Sequence, residues 1–97
     1  MFAIYFLKPE NRPAVDAMKD DDLIGRQSII TKDASSFDFK DPGMIVMVEG
    51  SADAIKAVDS RFGSLMEKLD KDRSDRLYAL IKEEEKKADE GMGFLFG

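Results

Sequence analysis

The segment MIVMVEGSADAIKAV, Met44 to Val58, joins an apolar run to a helical pattern. Its first residues, Met44 to Val48, are all apolar, and a helical pattern follows Gly50 and Ser51. A continuous short apolar run that stops at a glycine is typical of a strand buried on both faces. The stretch therefore predicts a central strand that turns directly into a helix.

A second run of the same kind lies near the start of the chain. Phe2 to Leu7 reads FAIYFL, which is apolar at every position and stops at Lys8-Pro9. Between the two runs, Leu23 to Lys32 mixes polar and apolar residues and predicts a strand at an edge of the sheet. We expect the first and third strands to be the central, parallel pair.

A short helix is predicted between the first two strands. It begins at Asn11 or Arg12, and Pro13 is tolerated in its first turn because the N–H groups there have no partner within the helix. Val15 and Met18 are three residues apart and form its buried stripe.

The most regular helical pattern follows Ser51, a favourable N-cap residue. Its apolar positions are spaced three and four residues apart: Ile55, Val58, Phe62, Leu65, Met66 and Leu69. The stripe keeps its phase across Gly63, which favours one helix over two helices with a kink at that glycine.

A further helix is predicted from Asp70 or Asp72 to Gly91, a residue that commonly ends helices. Its apolar positions are Leu77, Leu80, Ile81 and Ala88. The apolar residues Phe94 to Phe96 then predict a short last strand.

The predicted order is strand, helix, strand, strand, helix, helix, strand, within a single α+β domain spanning residues 1–97. Apart from the additional helix before the last strand, this is the βαββαβ order of the ferredoxin-like two-layer sandwich. The resemblance is one of architecture and covers the whole chain. It implies no activity, because unrelated functions share this fold.

The composition excludes several kinds of chemistry. The sequence has no cysteine and no histidine. Disulfides, thiolate metal sites, thiol nucleophiles and imidazole catalysis are therefore absent, and a metal site would need oxygen ligands alone. The net charge of −5 disfavours nucleic acid as a partner, because its phosphates attract cationic surfaces. No apolar run is long enough to span a membrane, and we expect a soluble, cytoplasmic protein with no cofactor.

Two features suggest anion or metal sites, and each has a structural explanation. The junction at Gly50-Ser51 resembles a phosphate-binding turn, but it has one glycine and a nearby Glu49 that would repel an anion. The acidic run 20–22 could offer oxygens to Mg²⁺, although adjacent residues rarely converge on one ion. These groups and Arg12 support only an alternative hypothesis, a Mg²⁺-assisted hydrolase of phosphate or acyl groups.

The predicted sheet has more apolar surface than one layer of helices can cover. Successive side chains of a strand point to opposite faces of the sheet. On this basis we place five apolar side chains of the central strands on the face away from the first helices: Ala3, Tyr5, Leu7, Ile45 and Met47. The additional helix, a second copy of the chain or a small apolar ligand could cover this face.

Our leading hypothesis is a small, self-associating regulatory or accessory module, without a catalytic role, that forms a homodimer through this hydrophobic sheet face. A small ligand is the weaker alternative partner. No catalytic, cofactor-binding or metal-binding residue is predicted.

Overall fold

The computed structural model describes the backbone of residues 1–96 and the side chains of residues 1–87. The chain is α+β, with one four-stranded antiparallel sheet and three α-helices. In chain order these are β1 (Phe2–Leu7), α1 (Pro13–Asp20), β2 (Ser28–Asp33), β3 (Met44–Glu49), α2 (Ala52–Phe62), β4 (Glu67–Lys68) and α3 (Lys71–Phe96). Short 3-10 helices cover Pro9–Asn11, Ile24–Arg26 and Ala34–Phe37.

The strands lie side by side in the order β2-β3-β1-β4. This confirms the prediction that the two wholly apolar strands, β1 and β3, are central and that β2 is at an edge. The predicted parallel pairing of β1 with β3 is wrong, because the two strands run antiparallel. Since β3 is also antiparallel to β2, it is β1 and β2 that run parallel, with β3 between them.

Helices cover both faces of the sheet. Val15 and Met18 of α1, as predicted, and Ile55 and Val58 of α2 pack against one face. Leu77 and Ile81 of α3 pack against the opposite face. The predicted two-layer sandwich is therefore incomplete, because α3 adds a third layer.

The apolar stripe that begins in α2 does not continue as a helix. The helix ends at Phe62, where the N–H of Gly63 bonds to the Asp59 carbonyl oxygen. The chain then extends, and β4 pairs with β1. Met66 and Leu69 consequently pack on opposite faces of the sheet, since residues three apart in an extended segment point in opposite directions. Neither the single helix nor the kinked pair of helices predicted across Gly63 is therefore correct.

The additional helix follows the last strand instead of preceding it. The carboxylate of Asp70 accepts a hydrogen bond from the Arg73 N–H at 2.8 Å and caps α3, as predicted. The helix continues beyond Gly91, and residues 94–96 are helical rather than a strand. A glycine inside a helix costs about 1 kcal/mol, which a helix of this length can tolerate. The last strand of the sheet is instead β4, which pairs with β1.

The second strand is shorter than predicted. Residues 23–27 precede β2 and contain a 3-10 turn. The carboxylate of Asp21 accepts hydrogen bonds from the N–H groups of Leu23 (2.9 Å) and Ile24 (3.0 Å), which turns the chain there. This local side-chain hydrogen bonding competes with strand formation, a known effect of aspartate.

Adjacent residues of α3 provide a direct test of its docking on the sheet. Ile81 is fully buried, whereas Leu80 is 47% exposed. We expect Ile81→Ala to lower the free energy of unfolding by about 2–5 kcal/mol, because it leaves a cavity between α3 and the sheet. Urea denaturation followed by circular dichroism measures the change.

Leu80→Ala is the matched control, since it removes a similar volume from the same helix at an exposed position. We expect it to change the free energy of unfolding by about 0.5 kcal/mol or less. Equal effects of the two substitutions would show that α3 does not pack against the sheet as described.

Candidate functional site

The residues predicted to form one interaction surface lie on two different faces of the sheet. Ala3, Tyr5 and Leu7 belong to the core beneath α1 and α2, whereas Ile45 and Met47 belong to the core beneath α3. All five are buried within the single chain, at 3% exposure or less. They cannot contact a partner while α1, α2 and α3 remain docked.

The register between β1 and β3 explains this separation. Tyr5 lies opposite Val46, so odd-numbered residues of β1 stand beside even-numbered residues of β3. Side chains directly opposite each other in an antiparallel pair share one face. Ile45 therefore shares a face with Phe6, and Met47 shares it with Ile4.

The face beneath α3 is covered by the chain itself. Its fully or partly buried apolar residues come from β1, β2, β3, the segments after β2 and after β4, and α3: Phe2, Ile4, Phe6, Ile30, Ala34, Phe37, Phe39, Ile45, Met47, Leu69, Leu77, Tyr78 and Ile81. The sequence left three possibilities for this face: the additional helix, a second copy of the chain or a small ligand. In the structure the additional helix, α3, packs against it.

A polar cluster at the end of β3 fixes α3 over the sheet. The Tyr78 hydroxyl donates a hydrogen bond to Glu49 Oε2 at 2.6 Å, and Lys82 Nζ lies 2.8 Å from Glu49 Oε1. The Tyr78 ring stacks on Phe2 with 4.1 Å between ring centres. The Lys82 and Tyr78 hydrogen bonds lower the pKa of Glu49 below its ordinary value. Both hydrogen-bonding partners of Glu49, Tyr78 and Lys82, are on α3. We call the group of Phe2, Glu49, Tyr78 and Lys82 the clasp, because it links the sheet to α3.

A second polar group lies beneath α2. The hydroxyl of Tyr5 donates a hydrogen bond to Asp59 at 2.7 Å, and Lys68 Nζ lies 2.9 Å from the other oxygen of that carboxylate. Burial and the bond to Asp59 raise the pKa of Tyr5. Partial burial opposes ionisation of Asp59, but the Lys68 and Tyr5 hydrogen bonds lower its pKa. These opposed shifts hold Tyr5 neutral and Asp59 charged, which suits a structural link between the sheet and α2.

The Gly50-Ser51 junction is filled by the protein's own side chains. The Ser51 hydroxyl accepts a hydrogen bond from the Ala54 N–H at 3.2 Å, as expected of an N-cap. Gln27 Oε1 accepts the Ser51 N–H at 3.2 Å and occupies the space in which a Cβ at Gly50 would lie. The Ser51 N–H, which would have to donate to a phosphate bound at this turn, is therefore already hydrogen-bonded to Gln27.

The groups considered for oxygen-based catalysis serve separate structural roles. Asp21 caps the turn before β2 and forms an ion pair with Arg61. Glu49 belongs to the clasp, and Arg12 precedes α1 without a side-chain capping bond. Within the part of the chain that the structure describes, no three acidic side chains are grouped so that they could hold a metal ion. The structure does not bring these groups together.

Among the described residues, β2 and the two-residue β4 form the two ends of the sheet, and β2 presents the longer open edge. β2 pairs with β3 on one side and stands at the end of the sheet on the other. Its four inner residues, Ile29 to Lys32, are only partly buried, and its two end residues are exposed. A strand edge of this length is a template for pairing with a further strand.

The hydrogen bonds around β3 identify which backbone groups point outward. The Ala34 N–H bonds to the Gly43 carbonyl oxygen at 3.0 Å, so Ala34 faces β3. In an antiparallel pair the N–H and C=O of alternate residues point to the same side. Ile29, Thr31 and Asp33 therefore direct these groups away from the sheet. The mixture of polar and apolar residues in β2 predicted its edge position, but it did not indicate which backbone N–H and C=O groups point away from the sheet.

No family model, curated protein or solved structure matches this chain. Function must therefore be inferred from the geometry of the chain itself. Among the residues that the structure describes, no helix combines the length and apolar character needed to cross a membrane.

The clasp predicts a pH dependence of stability. Because the pKa of Glu49 is lowered from its ordinary value of 4.5 in the folded chain, its contribution is complete above that value. It is lost as the pH falls through the folded pKa. We expect Glu49→Gln to reduce the free energy of unfolding by about 1 kcal/mol at neutral pH and by less at about pH 3. Denaturant titrations at both pH values measure the difference.

Glu83→Gln is a suitable control, because among the described side chains Glu83 pairs only with Lys87 of the same helix, at 3.6 Å on the surface. Such pairs contribute about 0.2–0.5 kcal/mol. A pH-independent effect of Glu49→Gln would contradict the proposed role of its carboxylate charge in the clasp.

Proposed function

We propose that this chain is a small self-associating regulatory or accessory module that forms a homodimer by pairing the β2 edges of two copies. The supporting observation is the uncovered edge of β2. The residues predicted to form that surface are covered by helices of the same chain: Ala3, Tyr5 and Leu7 by α1 and α2, and Ile45 and Met47 by α3. The proposed interface therefore moves from the face of the sheet to its edge. The soluble, cytoplasmic setting predicted from the sequence remains part of the proposal.

A two-fold axis beside Thr31 gives a self-complementary pairing. Antiparallel alignment of two β2 strands places Thr31 opposite its own copy and Ile29 opposite Asp33 of the other copy. The outward N–H and C=O groups of these residues then meet, and threonine pairs are favourable across antiparallel strands. On the face beneath α3, Lys32 lies opposite Ile30, so like charges are not directly opposed. An interface of this kind is isologous and closes as a dimer.

Helix α3 can enlarge this interface. One pair of strands buries less area than stable complexes usually need, which is at least about 1,000 Å² in total. Glu84 lies 3.4 Å from Lys32, so this part of α3 is over β2. Residues 85–96 add about 18 Å of helix beyond that point. The segment 92–96 reads MGFLF and is apolar in sequence.

The strand arrangement also supports a finer description of the fold. We infer that residues 2–68 form a ferredoxin-like unit and that α3 is an addition to it. Two observations favour this assignment. β1 and β2 are parallel with β3 between them, and β3 and β4 are parallel with β1 between them. α1 lies in the first of these connections and α2 in the second, as in a split β-α-β arrangement.

Thr31→Pro tests the proposed interface. The Thr31 N–H points away from β3, so proline removes no hydrogen bond within the sheet, and proline is tolerated on edge strands. It removes the central donor from each copy and places a ring at the axis. We expect the dimer dissociation constant to rise by about tenfold or more, measured by sedimentation equilibrium, while the circular dichroism spectrum remains that of the folded chain.

Thr31→Val is the matched control, because it keeps the backbone donor and a β-branched side chain. It should dimerise nearly as well as the original chain, losing at most the side-chain contribution of the threonine pair, about 0.2–1 kcal/mol. Ile30→Pro should instead destabilise the monomer, since the Ile30 N–H faces β3. Wild-type protein that remains monomeric at high concentration would refute the proposal, as would a dimer unaffected by Thr31→Pro.

A further inference from the structure

A cavity lies between α3 and the segment that follows β2. Its volume is about 300 Å³, at the small end of the range for ligand sites. Its lining combines aromatic, aliphatic and cationic side chains: Phe37, Asp38, Phe39, Arg73, Arg76, Leu77 and Leu80. The rings of Phe37 and Phe39 are partly buried against the core, and Leu77 is buried, so these apolar parts of the wall are supported from behind.

The cationic side of the cavity is formed by two arginines one helical turn apart. The Arg73 guanidinium lies over the Phe39 ring, 4.7 Å from its centre. Stacking on an aromatic ring orients a guanidinium while its N–H groups remain able to donate hydrogen bonds. Within the side chains that the structure describes, neither Arg73 nor Arg76 forms an ion pair with a carboxylate.

The lining of the cavity carries a net positive charge, although the whole chain is acidic and Arg73 also borders a neighbouring cavity lined by Asp38, Asp41 and Glu67. Asp38 is the one acidic residue in its lining, against two arginines. Asp75 lies on the same helix but lines a different cavity, beside Phe2 and Lys71. Asp38 has a left-handed backbone conformation, with φ of 64°, which turns the chain between the two phenylalanines.

We propose that this cavity binds a small organic anion, a carboxylate or phosphate attached to an aromatic or aliphatic body. The apolar body lies against Phe37 and Leu77, and the anionic group receives hydrogen bonds from Arg73 and Arg76. The Phe39 ring, which stacks on Phe6, positions the Arg73 guanidinium. Guanidinium groups match the geometry of both carboxylate and phosphate oxygens, and the apolar wall separates such a ligand from an inorganic anion. The inference is independent of the proposed dimer.

Binding of phenyl phosphate and of 4-phenylbutyrate, measured by isothermal titration calorimetry, tests this site and distinguishes phosphate from carboxylate. We expect at least one probe to bind and Arg76→Gln to weaken its binding by about tenfold or more, because a hydrogen bond to a charged group is lost. Arg73→Gln should have a similar effect. Inorganic phosphate and benzyl alcohol should bind much more weakly, since each lacks one half of the recognised chemistry.

Arg26→Gln provides the control, because it removes the same charge from the turn before β2 and leaves the cavity lining unchanged. It should bind the probe like the original chain. The site is refuted if neither probe binds, if Arg76→Gln binds as well as the original chain, or if inorganic phosphate binds as tightly as the aromatic anion. Circular dichroism of each variant verifies that loss of binding does not reflect unfolding.

Discussion

The structure depends on two central strands that are apolar on both faces. β1 and β3 present buried side chains on each side of the sheet, so a single layer of helices would leave one apolar face in water. The two crossover helices, α1 and α2, cover one face, and the chain must supply a second cover. Helix α3 meets this requirement, which explains why a small sheet of this kind carries a long helix after its last strand.

The sequence predicted the central strands well because their signal is local and strong. An uninterrupted apolar run bounded by lysine-proline or glycine specifies a doubly buried strand without reference to the rest of the chain. The buried stripe of α1, the Ser51 cap and the Asp70 cap were confirmed for the same reason. In each case the deciding contacts lie within a few residues of one another.

The features that were missed depend on contacts between distant residues. β4 has two residues, too few for a pattern, and it exists because it bonds to β1 at the sheet edge. Helical spacing from Ile55 to Leu69 appeared continuous, although Met66 and Leu69 belong to opposite cores. The five residues of the predicted interaction surface lie on two faces of the sheet instead of one. The face on which a β3 side chain lies depends on the register of β3 with β1, and the sequence of neither strand alone specifies that register.

Helix α3 links the two proposed binding surfaces. Its first two turns carry Arg73 and Arg76 at the cavity, and about two turns beyond Arg76 Glu84 contacts Lys32 of the edge strand. A ligand held between α3 and the segment after β2 would favour the docked position of the helix. If the docked helix also contributes to the dimer, each binding event strengthens the other by the same free energy, because coupling between sites is reciprocal. A module built in this way would report the presence of a small anion as a change in its own association.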